Sequence, residues 1–290
     1  MTSDTPHSAH SPAAAKQAPT KVARLRLDRS GTSNASSAGI DHARNWASIK
    51  PMRADAASMK RNHLFADSQD DDITRRFDML RTLLATALEE NGILRLGVTA
   101  PTEGSGTSFI AANLALAMAR RPSSRVILAD MNLRKPGLAR MFGANPPGPL
   151  TEFLAGKHPS SDQLRSYQGS LAVLMNSQVA QGSAEILQES STTVALGNMR
   201  RKFGPTVEIY DLPPLLGHDD TLSFLPQLDG VLLVADGTMH TASQLRAAEE
   251  MLNGRSKLVA VVLNRGEIRR SLAEIMQDFG DRWFRGRRKR

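Results

Sequence analysis

The 290-residue chain has no cysteine, which excludes disulfide frameworks, thiolate zinc sites and cysteine nucleophiles. It also has no apolar run near the roughly 20 residues needed to cross a bilayer; its longer apolar stretches are short ones such as Gly230–Ala235. The N-terminus is polar and carries no hydrophobic signal segment, which predicts a protein that stays in the cytoplasm. An excess of either charge is missing from the middle of the chain. The net charge is +8, yet residues 1–72 hold 10 basic and 8 acidic groups, residues 282–290 hold 6 basic and none acidic, and the remainder holds 21 of each. A neutral centre argues against a nucleic-acid-binding face on the folded part and confines the basic character to the tails.

What is present falls into three parts. Residues 1–72 are rich in Ala, Ser, Pro, Asp and Arg without apolar periodicity, and are expected to form a disordered arm. Residues 73–280 are expected to form one α/β domain, and residues 281–290 a basic tail. The domain opens with Ile73, Phe77, Leu80, Leu83, Leu84, Ala87 and Leu88 at helical spacing, closed by Asn91-Gly92. Continuous apolar runs then read as strands at 94–100, 126–130, 171–175, 207–211, 231–236 and 258–263. Helices are predicted at 108–120, 184–202, 241–252 and 268–279. Continuous runs suit strands covered on both faces, so the fold class expected is a doubly wound, mostly parallel sheet with helices on both sides. Such sheets bind ligands beyond the carboxyl ends of their strands, here after Ala100, Asp130, Asp211 and Asp236.

The first strand runs into Pro101-Thr102-Glu103-Gly104-Ser105-Gly106-Thr107-Ser108 and then directly into a helix. Two glycines between a strand and a helix let the backbone wrap an anion, with the free amides and dipole of the helix start behind it. Gly104, Ser105, Gly106, Thr107 and Ser108 are therefore candidate phosphate-binding residues, in a P-loop whose lysine position holds Thr107. The bland alternative is a tight turn, which glycine pairs make often. Asp130 and Asp211 close two strands; each is a candidate ligand of a hard cation or, alternatively, a helix-capping or turn residue.

Several motifs in order resemble the bacterial tyrosine kinases of capsule and exopolysaccharide export. The stretch 98–115 resembles their first motif, Val126–Pro136 their second, and Val207–Pro214, ending in Asp-Leu-Pro-Pro, their Walker B strand. Gly148–Gly156 and Val261–Asn264 match later landmarks. The resemblance implies a P-loop NTPase-like domain that binds ATP or ADP with magnesium, held by Ser108, Asp130 and Asp211, with the two aspartates catalytic. Three departures point to impaired catalysis: Thr107 for the lysine, Asn132 for a second carboxylate, and no C-terminal tyrosine cluster, since only Tyr167 and Tyr210 occur. Arg134 or Lys135 could supply part of the missing charge. The alternatives are an active tyrosine kinase, a positioning ATPase of the partition or septum-site type, and a non-enzymatic assembly module.

The resemblance further implies a membrane-embedded chain-length regulator as partner, and a homo-oligomer through the 73–90 helix, where Arg75, Asp78 and Arg81 stand at the family's assembly motif. The basic tail around Trp283 and Phe284 fits an anionic membrane surface better than nucleic acid, and a peripheral location at the inner membrane face.

Overall fold

The computed structural model describes residues 40–65, 72–121, 123–176 and 178–266. The elements are, in order, α1 (His42–Ala47), α2 (Ala56–Arg61), α3 (Asp72–Glu90), β1 (Arg95–Thr99), α4 (Thr107–Ala119), β2 (Val126–Asp130), α5 (Leu138–Phe142), α6 (Leu150–Leu154), α7 (Ser160–Gln163), β3 (Leu164–Tyr167) and β4 (Leu171–Leu174). They continue as α8 (Ser183–Gln188), α9 (Ser190–Phe203), β5 (Val207–Asp211), α10 (Asp220–Phe224), β6 (Gly230–Asp236), α11 (Ala242–Leu252) and β7 (Leu258–Asn264).

The strands form one sheet in the order β3-β4-β2-β5-β1-β6-β7, parallel throughout except for β3 against β4. Strands β1, β2, β5 and β6 are buried along essentially their whole length, so each reads as an unbroken apolar run. One hydrophobic core lies under α3 and α4, the other under α9 and α11. Helix α4 is buried from Ile110 to Met118 because α3 lies over it, with Phe77 edge-on to Phe109 at 5.6 Å. A helix enclosed by sheet on one side and helix on the other must be apolar all round.

Part of the stretch expected to be a disordered arm is folded. Residues 40–65 form a strap with two helices, each begun by an aspartate whose carboxylate accepts first-turn amides: Asp41 from Arg44, and Asp55 from Ala57 and Ser58. Trp46 and Ile49 enter one core, Met59 and Leu64 the other, and the Trp46 indole N–H donates to the Gly169 carbonyl at 2.6 Å. Between the helices the strap runs beside the outer edge of β3: Met52 donates to the Ser166 carbonyl and Ser166 to that of Lys50. This covers an edge that would otherwise be free to pair with another chain.

Two other sequence expectations change. The helix predicted at 184–202 is two, because Glu189 takes an extended backbone between α8 and α9. Strand β3 had no legible signal: its four residues return on β4 through Gln168 and Gly169, both at positive φ, a tight hairpin turn with glutamine where asparagine would have marked it. The helix expected at 268–279 and the basic tail lie outside the described residues. Among the described residues no helix is long and apolar enough to cross a membrane.

Candidate functional site

Strand β1 lies between β5 and β6, so the chain changes direction across the sheet there, the place where sheets of this kind bind ligands beyond the strand ends. The loop 100–106 follows β1 there. Gly104 and Gly106 have φ of +80° and +84°, backbone that side chains disfavour. At Gly106 a Cβ would also collide with the Asn264 amide. Among the described residues, no acceptor takes the backbone amides of Ser105, Gly106, Thr107 or Ser108. Four free N–H groups at the start of a 13-residue helix make an anion nest.

Ser108 projects from the first turn of α4 toward the ends of β2 and β5. It lies against Asp211, whose pKa its hydroxyl lowers, and near Gly137, where a Cβ would stand 3.5 Å from Ser108 Oγ. Asp130 and Asp211 pair in parallel register. One Asp130 oxygen accepts the Gly137 and Leu138 amides at 2.9 and 3.0 Å, fixing the loop that follows. The other Asp130 oxygen and both of Asp211 are buried without a hydrogen bond of full geometry. Burial pushes Asp130 up to about 7, and burial plus the neighbouring Asp130 charge raises Asp211 well above the ordinary carboxylate value. The structure thus brings Ser108, Asp130 and Asp211 together beside the amides of 105–108.

Two buried carboxyls with unused oxygens beside a hydroxyl suit a hard cation that takes its remaining ligands from water and phosphate, as magnesium does. The described residues hold no group of three or more His, Asp or Glu that would cage a metal unaided.

Other residues singled out in the sequence are engaged elsewhere. The Asn132 side chain accepts the Lys135 amide at 3.1 Å, shaping its own turn. Arg134 donates through Nε to Asp220 at 2.8 Å; Asp220 is fully buried and also takes the Ser183 hydroxyl. Lys135 pairs with Glu103 of the loop at 3.5 Å, both exposed. In α3, Asp78 pairs with Arg81 and Arg120 of the same chain, and Arg75 with Asp72.

The sequence reading missed the residues that hold the loop from the far side. Asn264 donates to the Ser105 carbonyl at 2.8 Å, and Arg265 donates to the Gly104 carbonyl at 3.1 Å and to Asp236 at 3.0 Å. His240 Nε2 meets the Thr102 and Ser105 hydroxyls at 2.9 and 3.1 Å. These residues lie 135 or more positions beyond the loop, and only Val261–Asn264 carried any signal.

With this geometry in view, comparison with known proteins is informative. No family profile matches the chain. The tyrosine-protein kinase Etk of Escherichia coli is 25% identical over 209 residues, 72% of this chain and 28% of Etk. Its solved kinase domain superposes with a TM-score of 0.63 at 24% identity, over 71% of this chain and 80% of that one. The succinoglycan biosynthesis transport protein ExoP of Rhizobium meliloti is 30% identical over 186 residues, 62% of this chain and 23% of ExoP. The relatives of this chain also include the putative tyrosine-protein kinase EpsB of Ralstonia solanacearum and the putative tyrosine-protein kinase CapB of Staphylococcus aureus.

The chain spans about a quarter of the length of the curated kinases it matches first, 26% and 24%. The kinase-domain fold extends to cobyrinic acid a,c-diamide synthase from Mycobacterium smegmatis, crystallised with an ATP analogue and magnesium (TM-score 0.51, 21% identity, 65% of this chain and 82% of that one).

Proposed function

We propose that the chain is a nucleotide-binding regulator of exopolysaccharide or capsule export, related to the export tyrosine kinases and weak as a phosphotransferase. The observation that carries this reading is the set of four amides at 105–108 without a partner among the described residues, joined through Ser108 to the unused oxygens of Asp211 and Asp130, with Thr107 where a cation is expected. The amides of Ser105 to Ser108 bind and orient the nucleotide phosphates. Ser108, Asp130 and Asp211 hold magnesium, which when bound shields the phosphate charge. Gly104 and Gly106 allow the backbone to approach the phosphates closely.

Phosphoryl transfer depends chiefly on positioning and charge stabilisation, so losing the lysine costs on the order of 10²–10⁴ in rate. Binding suffers less, because amides and metal remain. Output then runs through conformation and partners, and the resemblance to the export kinases supports a membrane-embedded chain-length regulator as the partner, met at the inner membrane face.

Calorimetry with Mg-ADP on the wild type and on Thr107→Lys tests the binding claim. A charged hydrogen bond contributes about 1.5–3 kcal/mol, so the lysine should tighten binding roughly 10- to 100-fold. Absence of binding in both proteins refutes the nucleotide reading. Robust tyrosine phosphorylation by the wild type, abolished in Asp211→Asn, refutes the impaired-catalysis reading.

A further inference from the structure

Thr107 offers no charge, so the loop's attraction for phosphate rests on the direction of its backbone amides. That direction is fixed from outside the loop. In a trans peptide the carbonyl and the N–H point to opposite sides. Arg265 holds the Gly104 carbonyl and Asn264 the Ser105 carbonyl, both from the end of β7, so the N–H groups of Ser105 and Gly106 turn the other way, into the nest. The remaining freedom of the loop lies at Thr102 and at the Ser105 side chain, and His240 occupies both.

The tautomer of His240 follows from its partners. Nδ1 accepts the backbone N–H of Asp236 at 2.9 Å, so the proton sits on Nε2. The Ser105 hydroxyl already donates to the Thr102 carbonyl at 2.6 Å, so it accepts from Nε2. A neutral imidazole therefore bridges the end of β6 to both ends of the segment 102–105. Ser105 is 1% exposed, so water does not replace this donor easily.

We propose that His240 is a positioning residue that holds the phosphate loop in its anion-binding shape while neutral and releases it when protonated. A second proton would go on Nδ1, setting an N–H against the Asp236 N–H and breaking the bridge. The charges around the ring are the Asp236 carboxylate, which is held by Thr238 and Arg265, and Arg265 itself. The loop's Glu103 is paired with Lys135, and α11 begins with the uncharged Ala242, Ser243 and Gln244. Burial lowers the His240 pKa below the ordinary 6.5, with the Asp236 charge opposing in part. For a depressed histidine the bridge is complete above that ordinary value and is lost as pH falls through the folded value.

The functional part of this inference rests on the nucleotide reading; the loop-holding part does not. Hydrogen exchange of residues 102–108 in the ligand-free full chain should be at least several-fold faster in His240→Ala than in wild type at pH 7.5. His240→Gln, which keeps a donor near Nε2, should recover part of the protection. By calorimetry the Mg-ADP Kd of His240→Ala should be about 10-fold weaker than wild type at pH 7.5, the two converging as pH falls through the His240 titration. Comparing variant with wild type cancels the titration of the nucleotide and of the Asp130–Asp211 pair. Equal exchange in the two proteins overturns the proposal, as does an unchanged affinity ratio across the pH range in proteins that bind. If neither wild type nor Thr107→Lys binds nucleotide, the site reading falls, and the exchange result alone decides whether His240 holds the loop.

Discussion

Asp130 and Asp211 stand opposite each other at the ends of two adjacent parallel strands, and among the described residues three of their four carboxyl oxygens are buried without a hydrogen bond of full geometry, the Ser108 hydroxyl lying against Asp211. A fold gains no stability from such a pair at neutral pH. On the proposed reading, the pair is kept for a cation that the chain itself does not supply.

The first prediction concerns stability. Both carboxyls have raised folded pKa values, so what they contribute is complete below the ordinary value of 3.8 and is lost as pH rises through about 7 for Asp130. Asp211→Asn removes the like charge and offers Asp130 a donor. Without magnesium its melting temperature should exceed wild type by on the order of 5 °C at pH 8, and the gain should vanish near pH 4. Melts across that range check this; a variant less stable than wild type at pH 8 would contradict the assigned charge repulsion.

The second concerns protons. Burial raises the Asp130 pKa to about 7, so it holds a proton more readily near neutral pH than an ordinary carboxyl, and a metal ligand must be deprotonated. Mg-ADP binding at pH 6.5 should therefore release more protons, by up to about one, in wild type than in Asp130→Asn. Calorimetry in buffers of different ionisation enthalpy measures the difference. Identical release from both proteins would remove Asp130 from the site.

The third concerns the loop's own charge. Glu103 is an exposed carboxylate in the loop proposed to bind anions, and among the described residues it pairs with Lys135. Glu103→Gln should tighten Mg-ADP about 2- to 5-fold at low salt, with the advantage shrinking in high salt as screening sets in. Lys135→Gln should act in the opposite sense. Titrations at two ionic strengths test both, and a salt-independent effect would point to altered loop geometry instead.

The fourth concerns the strap. Trp46 is buried edge-on to Phe203 and bonded to Gly169, so Trp46→Ala should cost about 3–5 kcal/mol and lower the melting temperature by roughly 10 °C. A chain starting at residue 66 should be destabilised at least as much. A truncated protein that melts like the full chain would return residues 40–65 to the status of an arm.

Much of this molecule could be read directly from its sequence. The buried parallel strands declared themselves because every residue in them meets a covered face, and the glycines of the loop because only glycine takes those φ values cheaply. Asp130, Asp211 and Ser108 stood out because each is the last residue of a strand or lies in the first turn of a helix, positions that local sequence marks. The strap escaped notice because its six-residue helices carry too few apolar positions to show a period; Trp46 is buried by a surface that α9 and the 168–169 turn assemble. His240 and Arg265 were equally silent, and Asn264 showed only as the end of the Val261–Asn264 landmark, with no hint of its contact to the loop. They act on the loop only because β6 and β7 are placed next to β1 in the sheet, and that adjacency joins residues more than 130 positions apart. Local sequence determined which segments were strands and which loop could hold an anion; only the order of strands in the sheet decided which side chains aim its amides.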